Sequence, residues 1–314
     1  GSTTINKMCG SGMKATMLGN DLIAAGSAEV LVVGGMESMS NAPYLMLNAR
    51  RGMRLGHGEL KDHMFLDGLE DAYDKGRLMG SFAEATARHY QFTREQQDSY
   101  AIESLKRARR AIADGSFSEE IAPVTVKTRK GECIVEIDEQ PQKADLEKVS
   151  LLKPAFASDG SVTAANSSSI SDGAAALVIM RSSEAEKRGL RAIARIVAHS
   201  THSQAPEWFT TAPIGAVEKI FSETGWSKRE VDLFEINEAF AVVTMVTMKE
   251  LSLDHAKVNV NGGACALGHP IGASGARIIV TLINALRRSG GKRGIASLCI
   301  GGGEATAMAI EMCT

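Results

Sequence analysis

Apolar positions recur at helical spacing between residues 12 and 26. Met13, Met17, Leu18, Leu22 and Ile23 share a face, and Gly26 closes the element. Next comes EVLVVGG (29 to 35), an uninterrupted apolar run ended by glycines, as in a strand of a sheet covered on both faces. The pattern then dissolves: residues 44 to 80 are rich in Gly, Arg, His and Met, with weak periodicity. An amphipathic helix follows over 94 to 113, and 121 to 138 read as a hairpin. DGSVTAANSSSISD (159 to 172) is small and polar, hence a loop, and GAAALVIM (173 to 180) is a second buried strand. A new unit begins at 191: strand AIARIVAHS, helix 213 to 225, strand VDLFEIN, helix 238 to 251, then VNVNGG. Alternation of strands and helices predicts an α/β fold.

The chain repeats itself. TINKMCGSGMKA, a helix and EVLVVGGMES parallel VNVNGGACALGHPIGASGARI, a helix and IASLCIGGGEATAMAIE. Each half runs strand, glycine-rich turn, helix, then a strand ending in Gly-Gly with a glutamate close behind. In the second half, residues 191 to 260 lead into the turn; in the first, only residues 1 to 8 do. The expectation is a duplicated unit whose first copy lacks its opening portion.

Composition narrows the class. Of 314 residues, 44% are hydrophobic and 23% charged, with a net charge of -2, which gives no support for a nucleic-acid or membrane-surface partner. Thirty-one glycines and 5% aromatics suit an α/β fold with tight strand-to-helix turns. No apolar run approaches the roughly 18 residues of a membrane helix. The five cysteines, Cys9, Cys133, Cys265, Cys299 and Cys313, form no CxxC or zinc spacing, so free thiols in a reducing compartment are expected.

Four motifs can carry chemistry. Cys9 sits at a predicted helix start, where the dipole and free N–H groups favour a thiolate and can hold an oxyanion. Gly10 and Gly12 beside it would let a substrate reach the backbone. The plain alternative is a packed cysteine. His269, in GHPIGASG (268 to 275), is a base candidate facing the Cys9 turn across the repeat. A phosphate loop is the weaker reading there, because the Walker lysine is missing. Cys299 ends a buried strand in SLCIGGGEA, where glycine N–H groups could form a second anion hole. A redox disulfide with Cys9 is the rival. Asn237, in EINEAFA, is placed either to cap a helix or to orient a water or carbonyl. Asp172 and glutamates 37, 238 and 304 read as caps or ion-pair members. His57 and His63 lack metal spacing, so no metal site is expected.

NKMCGSGMKA, GGMESMSNAPY, NEAFA, NVNGGACALGHPIGASGARI and LCIGGGEATA, in this order, resemble the thiolases, most closely those acting on acetyl-CoA. The resemblance runs from residue 3 to the C-terminus. It implies a duplicated thiolase fold, five-layered α-β-α-β-α, with an inserted loop domain. Residues 1-43 and 159-183 would form an N-terminal domain, 44-158 the loop domain that binds coenzyme A and supports assembly, and 184-314 the C-terminal domain. Compared with family members, roughly 80 residues before Cys9 would be lacking, leaving a sheet edge and an apolar face uncovered.

The implied activity is condensation of two acetyl-CoA to acetoacetyl-CoA plus CoA, and the reverse thiolysis, through an acyl-Cys9 intermediate. By resemblance, His269 activates Cys9, and Cys299 moves the proton α to the second thioester. Asn237 would hold a catalytic water, and the N–H groups of Cys9 and Gly301 would form the other oxyanion hole. Met79, Phe156, Ala164, Ser168 and Ile170 would line the coenzyme A channel, with Phe209 and Phe240 near its acyl end. Where many biosynthetic members read His-Met-Gly, this chain reads Leu78-Met79-Gly80. Coenzyme A is a substrate here, and no cofactor is implied. A homotetramer or dimer, through an arm containing residues 44 to 65, and a cytoplasmic location are expected. The alternatives are a broader 3-ketoacyl-CoA thiolase, an inactive coenzyme A-binding fragment, or a decarboxylating ketoacyl synthase. The second cysteine argues against the last.

Overall fold

The computed structural model describes residues 1–129 and 131–313. Lys130, in the turn of the expected hairpin, lies outside them. The chain passes through a single 3-10 turn, Met8–Gly10, into α1 (Ser11–Ala24), which Gly26 ends at φ +79°. β1 (Val30–Ser38) follows. The weakly patterned stretch contains one short pair, β2 (Tyr44–Met46) and β3 (Leu60–Asp62), and a π-helical turn at Phe65–Leu69. α2 (Met79–Tyr90) and α3 (Arg94–Ala113) come next; α3 starts where predicted because Thr93 and Gln96 form a reciprocal capping box. The expected hairpin is β4 (Val124–Thr128) with β5 (Gly131–Val135), followed by α4 (Glu139–Lys143). β6 (Asp172–Met180) and α5 (Ser182–Lys187) close this half. The second half holds β7 (Ala194–Ser203), α6 (Ala212–Thr224), β8 (Leu233–Ile236), α7 (Ala241–Leu251), α8 (Ala264–Leu267), α9 (Ile271–Ser289), β9 (Arg293–Ile300) and β10 (Glu304–Met312).

Two sheets sandwich the central helices α1 and α9. One is four-stranded, in the order β7-β10-β9-β8; the other is the antiparallel pair β1-β6. Period-two alternation splits the four-stranded sheet's side chains between two cores. Ala305, Ala307 and Ala309 pack beneath α6, while Met308, Ile310 and Leu298 meet Met13, Met17, Ile278 and Leu282 of the central helices.

The β1-β6 sheet departs from the expected double cover. Its inner residues, such as Val33, are buried, but Val32, Met36 and Val178 on the other face are 74%, 81% and 63% exposed. An apolar face of this sheet is therefore open.

Neither glycine turn is preceded by a strand among the described residues. In the second half, Val258 makes one parallel bridge to Phe234, and Asn259 then turns away at φ +48°. The Asn259 side chain takes over the pairing: Oδ1 accepts from the Ile236 N–H and Nδ2 donates to the Ile236 carbonyl, both at 2.8 Å.

Candidate active site

The central helices cross almost in backbone contact. A Cβ on Gly12 would lie 2.7 Å from the Ala276 nitrogen, and one on Gly275 2.4 Å from the Met13 nitrogen. Gly10 is filled from the side by Ile300, whose Cδ1 lies 2.4 Å from a Cβ position. These glycines therefore serve packing, which corrects the expectation that Gly10 and Gly12 open the backbone to substrate. The close crossing brings the two repeat turns together.

Cys9 occupies the 3-10 turn at the head of α1, after Met8, whose φ of +46° is rare outside glycine. Such a residue persists only where neighbours hold it. Here Asn6 Oδ1 accepts from the Met8 N–H at 2.8 Å, and Ser11 Oγ donates to the Met8 carbonyl at 2.8 Å. The N–H groups of Gly301 and of Cys9 itself reach the Cys9 sulfur and favour its thiolate. Burial outweighs them, with a smaller contribution from the Glu37 charge, and pushes the thiol up to about 11. The expected dipole-stabilised thiolate is thus overturned: in the free protein Cys9 carries its proton.

His269 is buried on the loop before α9. Ser274 Oγ lies 2.5 Å from its Nδ1 and Asn237 Nδ2 lies 3.5 Å from it, while Nε2 is buried without a protein partner. Burial first, and the Arg277 charge second, bring its pKa down to about 4, so the ring is neutral at physiological pH. Asn237 does not cap a helix: α7 begins only at Ala241, with Phe240 at its N-cap. Its N–H instead donates to the Ser297 carbonyl at 3.0 Å, and its Oδ1 is buried and unpartnered. Cys299, near the end of β9, is buried; desolvation and, next, the proximity of Cys9 push its thiol up. A near-neutral pKa for Cys299, which a base would suit best, is not found in the free protein. Cys9 and Cys299 are both free thiols, with no disulfide between them.

The expected coenzyme A residues divide into two sets. Met79, Phe156, Phe209, Phe240 and Cys299 share one apolar cluster, and Phe156 meets Phe240 edge-on at 6.0 Å. Met79 Sδ lies 3.0 Å from a Cβ position on Gly301, so this cluster adjoins the Cys9 turn. Ala164 and Ile170 are exposed, and Ser168 is tied to the Ala239 carbonyl at 3.0 Å through both N–H and hydroxyl. Phe209 packs in the core against Phe82 at 6.0 Å.

The supporting carboxylates have varied roles. Glu37 accepts from the Gly272 N–H at 3.0 Å at the head of α9, Glu304 pairs with Lys7, and Asp172 accepts from the Ser40 N–H at 2.9 Å. Glu238 joins no ion pair among the described residues, and the helix start it holds is that of α8, remote in sequence. It takes hydrogen bonds from Tyr100 at 2.8 Å, Ser104 at 2.7 Å, Asn259 at 2.8 Å and the Cys265 N–H at 3.1 Å. Sequence reasoning missed Ser274, Asn259 and Tyr100. Only Ser274 had a signal, its place five residues beyond His269 inside GHPIGASG.

A thiol beneath two N–H donors and close to a second thiol, with a buried neutral imidazole on the matching turn of the other half, is the equipment of an acyl-transfer enzyme. The thiolase N-terminal domain family matches residues 1–183 and the thiolase C-terminal domain family residues 190–312; the chain belongs to the thiolase family. The acetyl-CoA acetyltransferase of Pseudomonas aeruginosa is 48% identical over 309 residues, which cover 98% of this chain and 78% of that protein. The crystal structure of the Bacillus anthracis acetyl-CoA acetyltransferase superposes with a TM-score of 0.95 at 44% identity, covering 99% of this chain and 78% of the other. Human mitochondrial 3-ketoacyl-CoA thiolase superposes at 0.94, with 40% identity and the same coverage of both chains.

Proposed function

We propose that the chain is an acetyl-CoA C-acetyltransferase that condenses two acetyl-CoA into acetoacetyl-CoA and CoA, and runs the reverse thiolysis. One observation carries this reading: the Cys9 sulfur sits under the N–H groups of Cys9 and Gly301, and on the other half the adjacent residues His269 and Asn237 leave Nε2 and Oδ1 buried without partners. Buried groups left unpaired by the protein are suited to a ligand or an ordered water.

In this mechanism the Cys9 proton passes to His269 Nε2 as the sulfur attacks the thioester carbon. The carbonyl oxygen takes up the charge between the two N–H groups, each such donor contributing about 3 kcal/mol to the transition state. Collapse expels the CoA thiolate, which takes the proton from His269. Cys299, whose electrostatics are linked to Cys9, then serves as the base after losing its own proton to solvent. Its thiolate removes the α-proton of the second acetyl-CoA. The enolate oxygen is held by a water on Asn237 and by His269 once solvent exchange has returned its ring to the Nε2–H tautomer; the carbon attacks acyl-Cys9, the Cys9–acyl bond breaks, and the departing Cys9 thiolate takes the proton that Cys299 removed.

Coenzyme A is a substrate and no resident cofactor is invoked. Met79, Phe156 and Phe240 flank its acyl end, and Ala164, Ser168 and Ile170 line its outward course. Residues 1-43 with 159-183, 44-158 and 184-314 form the three domains of this reading. The exposed Tyr44, Met46, Leu55 and Leu60 support assembly of a homotetramer or dimer through the 44 to 65 arm. No described helix is long and apolar enough to cross a membrane, and the free cysteines fit the reducing cytoplasm.

Thiolysis of acetoacetyl-CoA, followed as loss of its enolate absorbance, tests the reading. Cys9→Ser is expected to lose at least about 1000-fold in kcat, since an unactivated hydroxyl replaces the thiol. Parental turnover in Cys9→Ser sinks the assignment. Rates on longer 3-ketoacyl-CoAs test the preference for the acetyl group.

A further inference from the structure

We propose that Ser274 is a positioning residue for His269: its hydroxyl both accepts from and donates to Nδ1, keeping the Nε2 edge turned into the site and letting Nε2 alternate between taking and giving a proton. The inference rests on the catalytic assignment of His269 above.

The two edges of the ring are unequal. Nδ1 faces Ser274 Oγ at 2.5 Å, with Asn237 Nδ2 at 3.5 Å, whereas Nε2 has no protein partner. Ser274 is itself fully buried in the first turn of α9, and its Oγ also lies 2.9 Å from the Pro270 carbonyl. That carbonyl already receives the N–H groups of Ala273 and Ser274, each at 3.0 Å. The hydroxyl has one proton and two acceptors within reach, so it has two settings.

In the first, the hydroxyl donates to Pro270 and Oγ accepts from Nδ1–H. Nε2 then carries the lone pair and takes the thiol proton of Cys9. The imidazolium keeps Nδ1–H on Oγ, and Nε2–H passes its proton to the departing thiolate, which restores the ring. In the second, the ring has exchanged its Nδ1 proton for one on Nε2 through solvent between half-reactions, the hydroxyl donates to Nδ1, and Nε2–H is a donor to a substrate oxygen. A carboxylate at this place would enforce the first setting alone and hold the ring cationic. The charge that acts on the ring is Arg277 from α9; Glu37 from β1 is engaged with the Gly272 N–H at the start of the same helix. Arg277 opposes a lasting imidazolium, which leaves the proton transient.

The test compares Ser274→Ala, Ser274→Thr and His269→Ala in acetoacetyl-CoA thiolysis, with pH profiles and the rate of Cys9 alkylation by iodoacetamide. Ser274→Ala is expected to lower kcat by about 10- to 100-fold, with KM changed less than about 3-fold and the acid limb of the profile displaced. Ser274→Thr, which keeps the hydroxyl, is expected to recover most of the loss and the parental profile. Parental kcat and pH profile in Ser274→Ala overturn the inference while leaving His269 in place, provided His269→Ala is inactive. Equal impairment of the Ala and Thr variants also overturns it, because volume rather than the hydroxyl then matters. An active His269→Ala overturns the assignment beneath it.

Discussion

The two repeat turns begin from one sequence pattern and end in different surroundings. In the second half, β9 runs through a four-stranded sheet with packed helices on both faces, and Ile295 to Ile300 are all buried. In the first, β1 has one partner and an open face. Cys9 nevertheless sits as firmly as His269, because its turn leans on the better-supported half: Ile300 fills the space beside Gly10, and Ala276 abuts Gly12. Support for Cys9 comes from the joint between halves, not from the sheet of its own half.

The sharpest way to break this comparison is at the joint. Gly275→Ala gains about 1 kcal/mol of helix propensity. A Cβ there meets the Met13 backbone nitrogen at 2.4 Å, so a net loss of about 3 kcal/mol is expected in urea melts, with a larger loss of activity. A stabilised variant would place the support elsewhere. A smaller effect separates the two sheets themselves. Leu298→Ala, in the covered sheet, is expected to cost about 3 kcal/mol. Val32→Ala, on the open face, is expected to cost under about 0.5 kcal/mol. Equal costs would show that the open face is covered in solution.

The smallest effect is a pH dependence in the second half. Glu235 is fully buried, with Arg277 Nη1 3.8 Å away, and desolvation brings its pKa up to about 8 despite that charge. A raised carboxyl pKa contributes stability that is fully present below the unfolded value and lost as pH rises through the folded one. Glu235→Gln is therefore expected to flatten the fall in stability between about pH 5 and about pH 9, read by melts at both ends. An unchanged slope would show that Glu235 stays ionised.

Much of this was legible in the chain. The helix of residues 94 to 113 has the observed bounds because its cap is local, and the repeat showed the duplication because each turn must place glycines where helices touch. Cys9, His269, Cys299 and Asn237 stood out for the same reason: each lies on a motif whose backbone is unusual. What escaped were properties of the assembled interior. The raised Cys9 and Cys299 thiols come from desolvation, which spacing cannot report. Glu238 reads as a cap in sequence, but the helix it caps is α8, and its other donors arrive from α3 and the 259 turn. The lead-in strand before the second turn was predicted from VNVNGG, but Asn259 replaces it with a side chain.

That replacement has a consequence for how copies of this chain behave in a crowded solution. β8 is an edge strand, and edge strands recruit other chains through unpaired N–H and C=O groups. At Ile236 both groups are taken by the Asn259 amide, and the Phe234 carbonyl receives the Asn259 N–H at 2.9 Å. One side chain thus closes the exposed rung of the ladder, and the turn at Asn259 also guards the sheet against self-templating.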